Sequence, residues 1–207
     1  MTRSATHLAA LVTSRLCHDL VSPVGAINNG LELLDLSGGD QSGPEMALIR
    51  DSVEAASARI KFFRMAFGHF DAGQHVAMRD VQQTLSALNK EARVKTHWAQ
   101  TDSIPRHDAQ LGFLAALCIQ LALPRGGTCH ITSHSTGGLT ITGTGTHIQY
   151  DSDLWDRLAA GGHMDVTPAQ VQFALLPLLA EQAGYALIIG TTPDSVHMDL
   201  EAARAPL

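Results

Sequence analysis

The run Arg15-Leu16-Cys17-His18-Asp19-Leu20-Val21-Ser22-Pro23 holds the residue types whose spacing suits group transfer. An imidazole titrates near neutrality, so a neutral nucleophilic nitrogen is available at cellular pH. The adjacent acid, Asp19, can accept a hydrogen bond from the ring or a neighbour, fixing the tautomer and easing proton movement. Ser22 lies one turn on, where its hydroxyl can contact a phosphoryl group or a water. Pro23 inside a helix removes a backbone hydrogen bond and bends the helix, at a cost of roughly 3 kcal/mol. Such a cost implies a reason for the proline. The chemistry indicated is phosphoryl transfer through His18, with Asp19 assisting.

The elements around this run must hold the ring in water. From about Thr6 to Leu36, Leu16, Leu20, Val24, Ile27, Leu31 and Leu34 step by four and three, which draws one apolar helical stripe. At about 100° per residue, Ser14, His18, Ser22, Gly25, Asn29 and Glu32 share a different stripe of small or polar residues. His18 is therefore expected to be exposed, with no bulky neighbour to block a partner. The turn-forming segment from Ser37 to Pro44 ends this helix. A second helix, Pro44 to about Phe70, carries Met46, Ile49, Val53, Ala56, Ile60, Phe63, Phe67 and Phe70 as a heptad seam. Two helices joined by a turn make a hairpin that cannot bury both stripes alone. Pairing two hairpins into a four-helix bundle solves this, so a homodimer is expected. The alternative is a hairpin folded back onto its own C-terminal half.

The period changes after a linker over Gly68–Met78. Helices are expected over Arg79–Ala92, His107–Leu123, Asp151–Ala160 and Pro168–Ala183. Strands are expected over Val94–Trp98, Thr128–His134, Leu139–Thr144, Ala186–Ile189 and Ser195–Glu201, with a hairpin across Gly137-Gly138. The predicted fold class is α+β: an antiparallel helical hairpin (residues 1–72), forming a dimeric four-helix bundle, then an α/β sandwich (residues 76–207).

His18-Asp19-Leu20-Val21-Ser22-Pro23 resembles the phosphoacceptor box of bacterial histidine kinases. The longer run from Cys17 to Leu34 is more similar to the ChpT-type histidine phosphotransferases of alphaproteobacteria. The likeness is specific over roughly the first seventy residues and architectural beyond them. It implies that His18 takes a phosphoryl group from the receiver domain of a hybrid kinase and passes it to a response regulator. It further implies receiver contacts at Arg15, Ser22, Gly25, Ala26 and Asn29. The receiver would bring its own aspartate and Mg²⁺, leaving this protein without a cofactor.

The C-terminal half has the element order of a kinase ATP-binding domain, which tests a kinase reading. That fold holds Mg²⁺-ATP through asparagines on its long apolar helix and an Asp-x-Gly-x-Gly box. No asparagine follows Asn89, and Leu111–Leu123 offers no metal ligand. Ile141 stands where the box wants Asp, two residues before Gly143-Thr144-Gly145. Transfer from ATP depends on metal and positioned charge, so autophosphorylation is not expected. Two other readings remain: a receiver-binding adaptor that exchanges no phosphate, and a degenerate kinase that still binds nucleotide.

Composition narrows the partners. A formal charge of −6 with no basic patch argues against nucleic acid and for protein partners. Cys17, Cys118 and Cys129 form no CxxC pair, which suggests buried thiols in a reducing compartment. No stretch reads as a signal peptide or membrane span, so the expected location is the cytoplasm. His130 and His134, four apart on a strand, are separated by about 13 Å, cannot share a metal and read as surface residues. His7, His69, His75, His97, His107, His147, His163 and His197 show no ligand spacing and read as surface residues. Trp98 and Trp155 read as core anchors.

Overall fold

The computed structural model describes residues 2–36, 43–100, 102–134, 137–162 and 164–202, with side chains from residue 5 onward. Two long helices open the chain, α1 (Thr2–Leu36) and α2 (Pro44–Phe67). Pro44 sits in the first turn of α2, where its missing N–H costs nothing. Gly30 is buried between them, and a Cβ there would come within 2.6 Å of Ile49 Cγ1. Glycine thus sets how closely the helices approach. Most of the turn expected over Ser37–Pro44 lies outside the described residues, as does His163.

The chain continues through β1 (His75–Val76), α3 (Met78–Asn89), β2 (Val94–Trp98), β3 (Ile104–Pro105), α4 (Arg106–Ala122), β4 (Gly127–Ser133) and β5 (Leu139–Thr144). It ends with α5 (Ser152–Ala160), a 3₁₀ turn (Pro168–Gln170), α6 (Val171–Gln182), β6 (Tyr185–Thr191) and β7 (Ser195–Ala202). One sheet takes the order β2-β4-β5-β7-β6, parallel between β2 and β4 and antiparallel elsewhere. Burial alternates along β5 and β7, so one face packs on helices and the other stays open. The two-residue strands β1 and β3 pair separately. They are too short to leave a period in the sequence. The hairpin followed by an α/β sandwich is the predicted fold class.

The core forms around α4, which is buried on almost every side. Glycine seats this helix on the sheet. A Cβ on Gly112 would meet the Trp98 ring at 2.5 Å, and one on Gly143 of β5 would collide with Ile119. Trp98 and Trp155 are core anchors, Trp155 standing edge-on to Phe173.

Three expectations need correcting. The seam on α2 does not run unbroken to Phe70. Phe62, Phe63 and Ala66 enter the α/β core, Phe62 meeting Phe113 at 5.0 Å between centroids, whereas Val53 and Ile60 stay open. The helix stops at Phe67, leaving Phe70 to lie beneath the Arg106 guanidinium. Cys118 and Cys129 are buried but Cys17 is exposed, as is its neighbour His18 on α1. Finally, His107, His134 and His197 are only half-exposed. Each has a close neighbour: Asp108, the Thr140 hydroxyl and Gly190 respectively. Among the described residues, no helix is long and apolar enough to cross a membrane.

Candidate functional site

His18 stands midway along α1 with its side chain 86% exposed. Ser14, Ser22 and Asn29 are exposed too, while Gly25 and Ala26 are half-buried. Nothing lies within 4 Å of where a Gly25 Cβ would project, so the helix is unobstructed there. Leu16 and Leu20 pack against the core of the α/β domain, which fixes the rotation of the helix and sends His18 outward. Pro23 is buried and has no N–H to give the Asp19 carbonyl four residues back.

The imidazole is held from one side. Its Nδ1 lies 3.0 Å from Asp19 Oδ1. An ionised carboxylate can only accept, so the proton belongs on Nδ1 and Nε2 keeps a free lone pair. The other oxygen of Asp19, Oδ2, accepts from Arg15 Nε at 2.6 Å. Arg15 Nη1 in turn donates to the Ala169 carbonyl at 2.8 Å. That carbonyl belongs to the 3₁₀ turn, at whose start Gln170 Oε1 accepts from the Thr167 N–H at 3.3 Å and from the Thr167 hydroxyl at 3.1 Å. Gln172 Nε2 also donates to it, at 3.0 Å. The Arg15 and Asp19 side chains are 20% and 22% exposed, so their pair is less screened than one in open water. A polar chain therefore runs from the α/β domain to the ring, with Arg15 and Asp19 partly buried along it and the ring in solvent. The arrangement suits an oriented nucleophile that a large partner can reach.

The structure brings together His18, Asp19 and Arg15, and sets Ser22, Gly25, Ala26 and Asn29 further along the same helix. Arg15 is tied into the chain itself. Its guanidinium donates to Asp19 and to the Ala169 carbonyl. The Ala169 carbonyl is the participant that sequence reasoning missed. A backbone oxygen has no residue signature, and the capping pattern at Thr167–Gln170 locates the turn without revealing what meets it. On the open sheet face His97 and His130 stack at 5.4 Å, remote in sequence from this site.

Comparison with known proteins identifies the family of the chain. Residues 78–195 match the family model of the histidine phosphotransferase C-terminal domain. The chain is 34% identical over 209 residues to the protein phosphotransferase ChpT of Brucella abortus (strain 2308), covering 97% of this chain and 98% of that protein. It is also similar to a bacterial phosphotransferase whose structure is known at 1.7 Å. There the identity is 32% and the TM-score 0.77, with 96% of this chain and 97% of that chain covered. The chain is a phosphotransferase and belongs to the histidine phosphotransferase family.

Proposed function

We propose that the protein relays phosphoryl groups between receiver domains through His18, as a homodimer in the cytoplasm and without ATP. The carrying observation is the exposed imidazole whose Nδ1 faces Asp19. The Nε2 lone pair attacks the phosphorus of a receiver's aspartyl phosphate. The P–O bond to that aspartate breaks and its carboxylate leaves with the electron pair. The ring then carries the phosphoryl group on Nε2 and a proton on Nδ1, and Asp19 balances the resulting positive charge. In the reverse sense a second receiver's aspartate attacks the phosphorus and the imidazole leaves. The two carriers are both high-energy species, which makes the exchange reversible. Mg²⁺ is the receiver's contribution, and Ser22, Gly25, Ala26 and Asn29 offer small side chains along which the receiver can dock.

Independence from ATP is supported by the region where a kinase would hold nucleotide. Ile141 is fully buried in β5, and Gly143 is pressed against Ile119 of α4. Apolar packing occupies the places where a metal ligand and a phosphate-facing loop are needed. The homodimer is supported by Val24, Leu31, Val53 and Ile60, all exposed and at seven-residue intervals on the two helices. That spacing is what a shallow-angle helical partner would cover.

The test is transfer of radiolabel from a phosphorylated receiver to the purified chain. Label should appear on the wild type and be absent from His18→Ala. Label on that variant, or none on the wild type, would refute the relay; in the latter case receiver binding without transfer would mark an adaptor.

A further inference from the structure

The relay makes no use of the open face of the five-stranded sheet. The strand register sets one row of residues across that face, from β2 to β6: His97, His130, Thr142, His197 and Gly190. β2 and β4 run parallel with His97 and His130 as direct partners, so the two side chains leave the sheet side by side. Both are exposed, and their rings stand 5.4 Å apart with 25° between their planes. Among the described residues no hydrogen bond or ion pair holds either ring. Spacing along the chain offered no ligand pair here, because strand pairing is what brings the two together.

Two imidazoles sharing one tetrahedral Zn²⁺, at about 2.0–2.1 Å per Zn–N bond, bring their ring centres to roughly 5 Å of each other. The stacked rings are therefore already at nearly the separation that a shared ion needs. Each must turn about χ2 to aim a nitrogen at the common position, and exposure leaves that turn unopposed by core packing. Lys95 precedes His97 on the same face, but its ammonium is drawn aside to the Asn89 carbonyl. Asp199, one row on, accepts from the Thr140 hydroxyl at 2.5 Å. His197 lies two strands beyond His130, about 10 Å away at the usual strand spacing, too far to join the pair. Its ring covers Gly190 instead. No group of three or more ligand side chains converges among the described residues, so water must complete the coordination.

We infer that His97 and His130 form a two-histidine site for a divalent transition ion of the Zn²⁺ or Ni²⁺ kind. Imidazole nitrogen suits these ions, whereas Mg²⁺ and Ca²⁺ prefer oxygen ligands. β2 is an edge strand whose only partner in the sheet is β4. An ion bridging the pair ties that edge to the sheet and stabilises the folded chain by mass action.

Zinc titration of the full chain at about pH 7, where an ordinary imidazole is largely neutral, tests this. The exposed Cys17 beside His18 can take zinc by itself, so the readout is the ring ¹⁵N shifts of His97 and His130. The two rings should shift along one saturable curve, complete by about millimolar zinc, and Mg²⁺ should move neither. His97→Ala should weaken the His130 response by roughly tenfold or more, since losing even a group that only supports a ligand costs that much in metal affinity. His197→Ala should leave both curves unchanged. In a Cys17→Ser/His18→Ala background zinc should still raise the melting temperature, and adding His97→Ala should abolish the rise. Rings that titrate with separate midpoints, or a His130 response that survives His97→Ala, would show independent adventitious contacts and overturn the inference. So would rings that do not move at zinc concentrations on the order of millimolar.

Discussion

At the scale of single residues, the tautomer of His18 decides whether there is a nucleophile. Asp19 fixes that tautomer by accepting at Nδ1, so Asp19→Asn presents an amide that can instead donate there. The proton would then sit on Nε2 and block attack. The rate of label transfer to Asp19→Asn should fall by about 10² or more, the lower end of what a positioned acid–base group contributes. The ¹⁵N shifts of the His18 ring should show the proton moved to Nε2; a slow variant with an unmoved proton would remove Asp19 from this role. Arg15→Ala should cost less, because Asp19 can still reach the ring after losing its tether to Ala169. Arg15→Lys should not restore the loss, since one ammonium lacks the geometry of the fork that serves both acceptors. The His18–Asp19 pairing was legible in the sequence because it is local, one residue and its neighbour on one helix. The partner of Arg15 lies 154 residues away and is a backbone oxygen, which no side-chain pattern can announce.

At the scale of elements, what the sequence shows well is period, and what it hides is which neighbour each face meets. The strand Leu139–Thr144 was legible to the residue, bounded by Gly137-Gly138, both at positive φ. The seam of α2 was legible as apolar, yet its Phe63 enters the core while Val53 stays exposed, because heptad spacing fixes a face and not its occupant. The start of α4 carries a buried acid that periodicity could not show, Asp108, close enough to Tyr185 of β6 for each to shift the other's titration. Burial is the main reason the Asp108 carboxyl titrates above its ordinary value, partly offset by His107 at 3.3 Å and by the Tyr185 hydroxyl. The folded state therefore holds the Asp108 proton more tightly than the unfolded chain does. The stability this gives is complete below the ordinary aspartate range, near pH 4, and is lost as pH rises through the folded value. Urea unfolding from about pH 4 to pH 7 should show less decline for Asp108→Asn than for the wild type. Burial, with the Asp108 charge second, also lifts the Tyr185 phenol to about 12. The same variant should move that titration downward when followed by phenolate absorbance. An unchanged Tyr185 titration would mean the two groups do not interact.

At the scale of the whole molecule, each half answers a different packing problem. The α/β domain closes its own core around α4 and takes one face of α2 into it. The opposite exposure of Val24, Leu31, Val53 and Ile60 leaves an apolar stripe along the hairpin that this domain does not reach. A stripe of that kind in water favours a second helical hairpin. Sedimentation equilibrium should give a mass near twice 22.1 kDa. Leu31→Glu/Ile60→Glu places charges where that seam would close, and should yield a folded species at the single-chain mass. The groups that orient His18, namely Asp19, Arg15 and the Ala169 carbonyl, all belong to one chain. The dissociated variant should therefore still take label on His18. A wild type that sediments as a monomer would leave the stripe without its proposed occupant. A dissociated variant that cannot be labelled would mean that the site needs a group from the second copy.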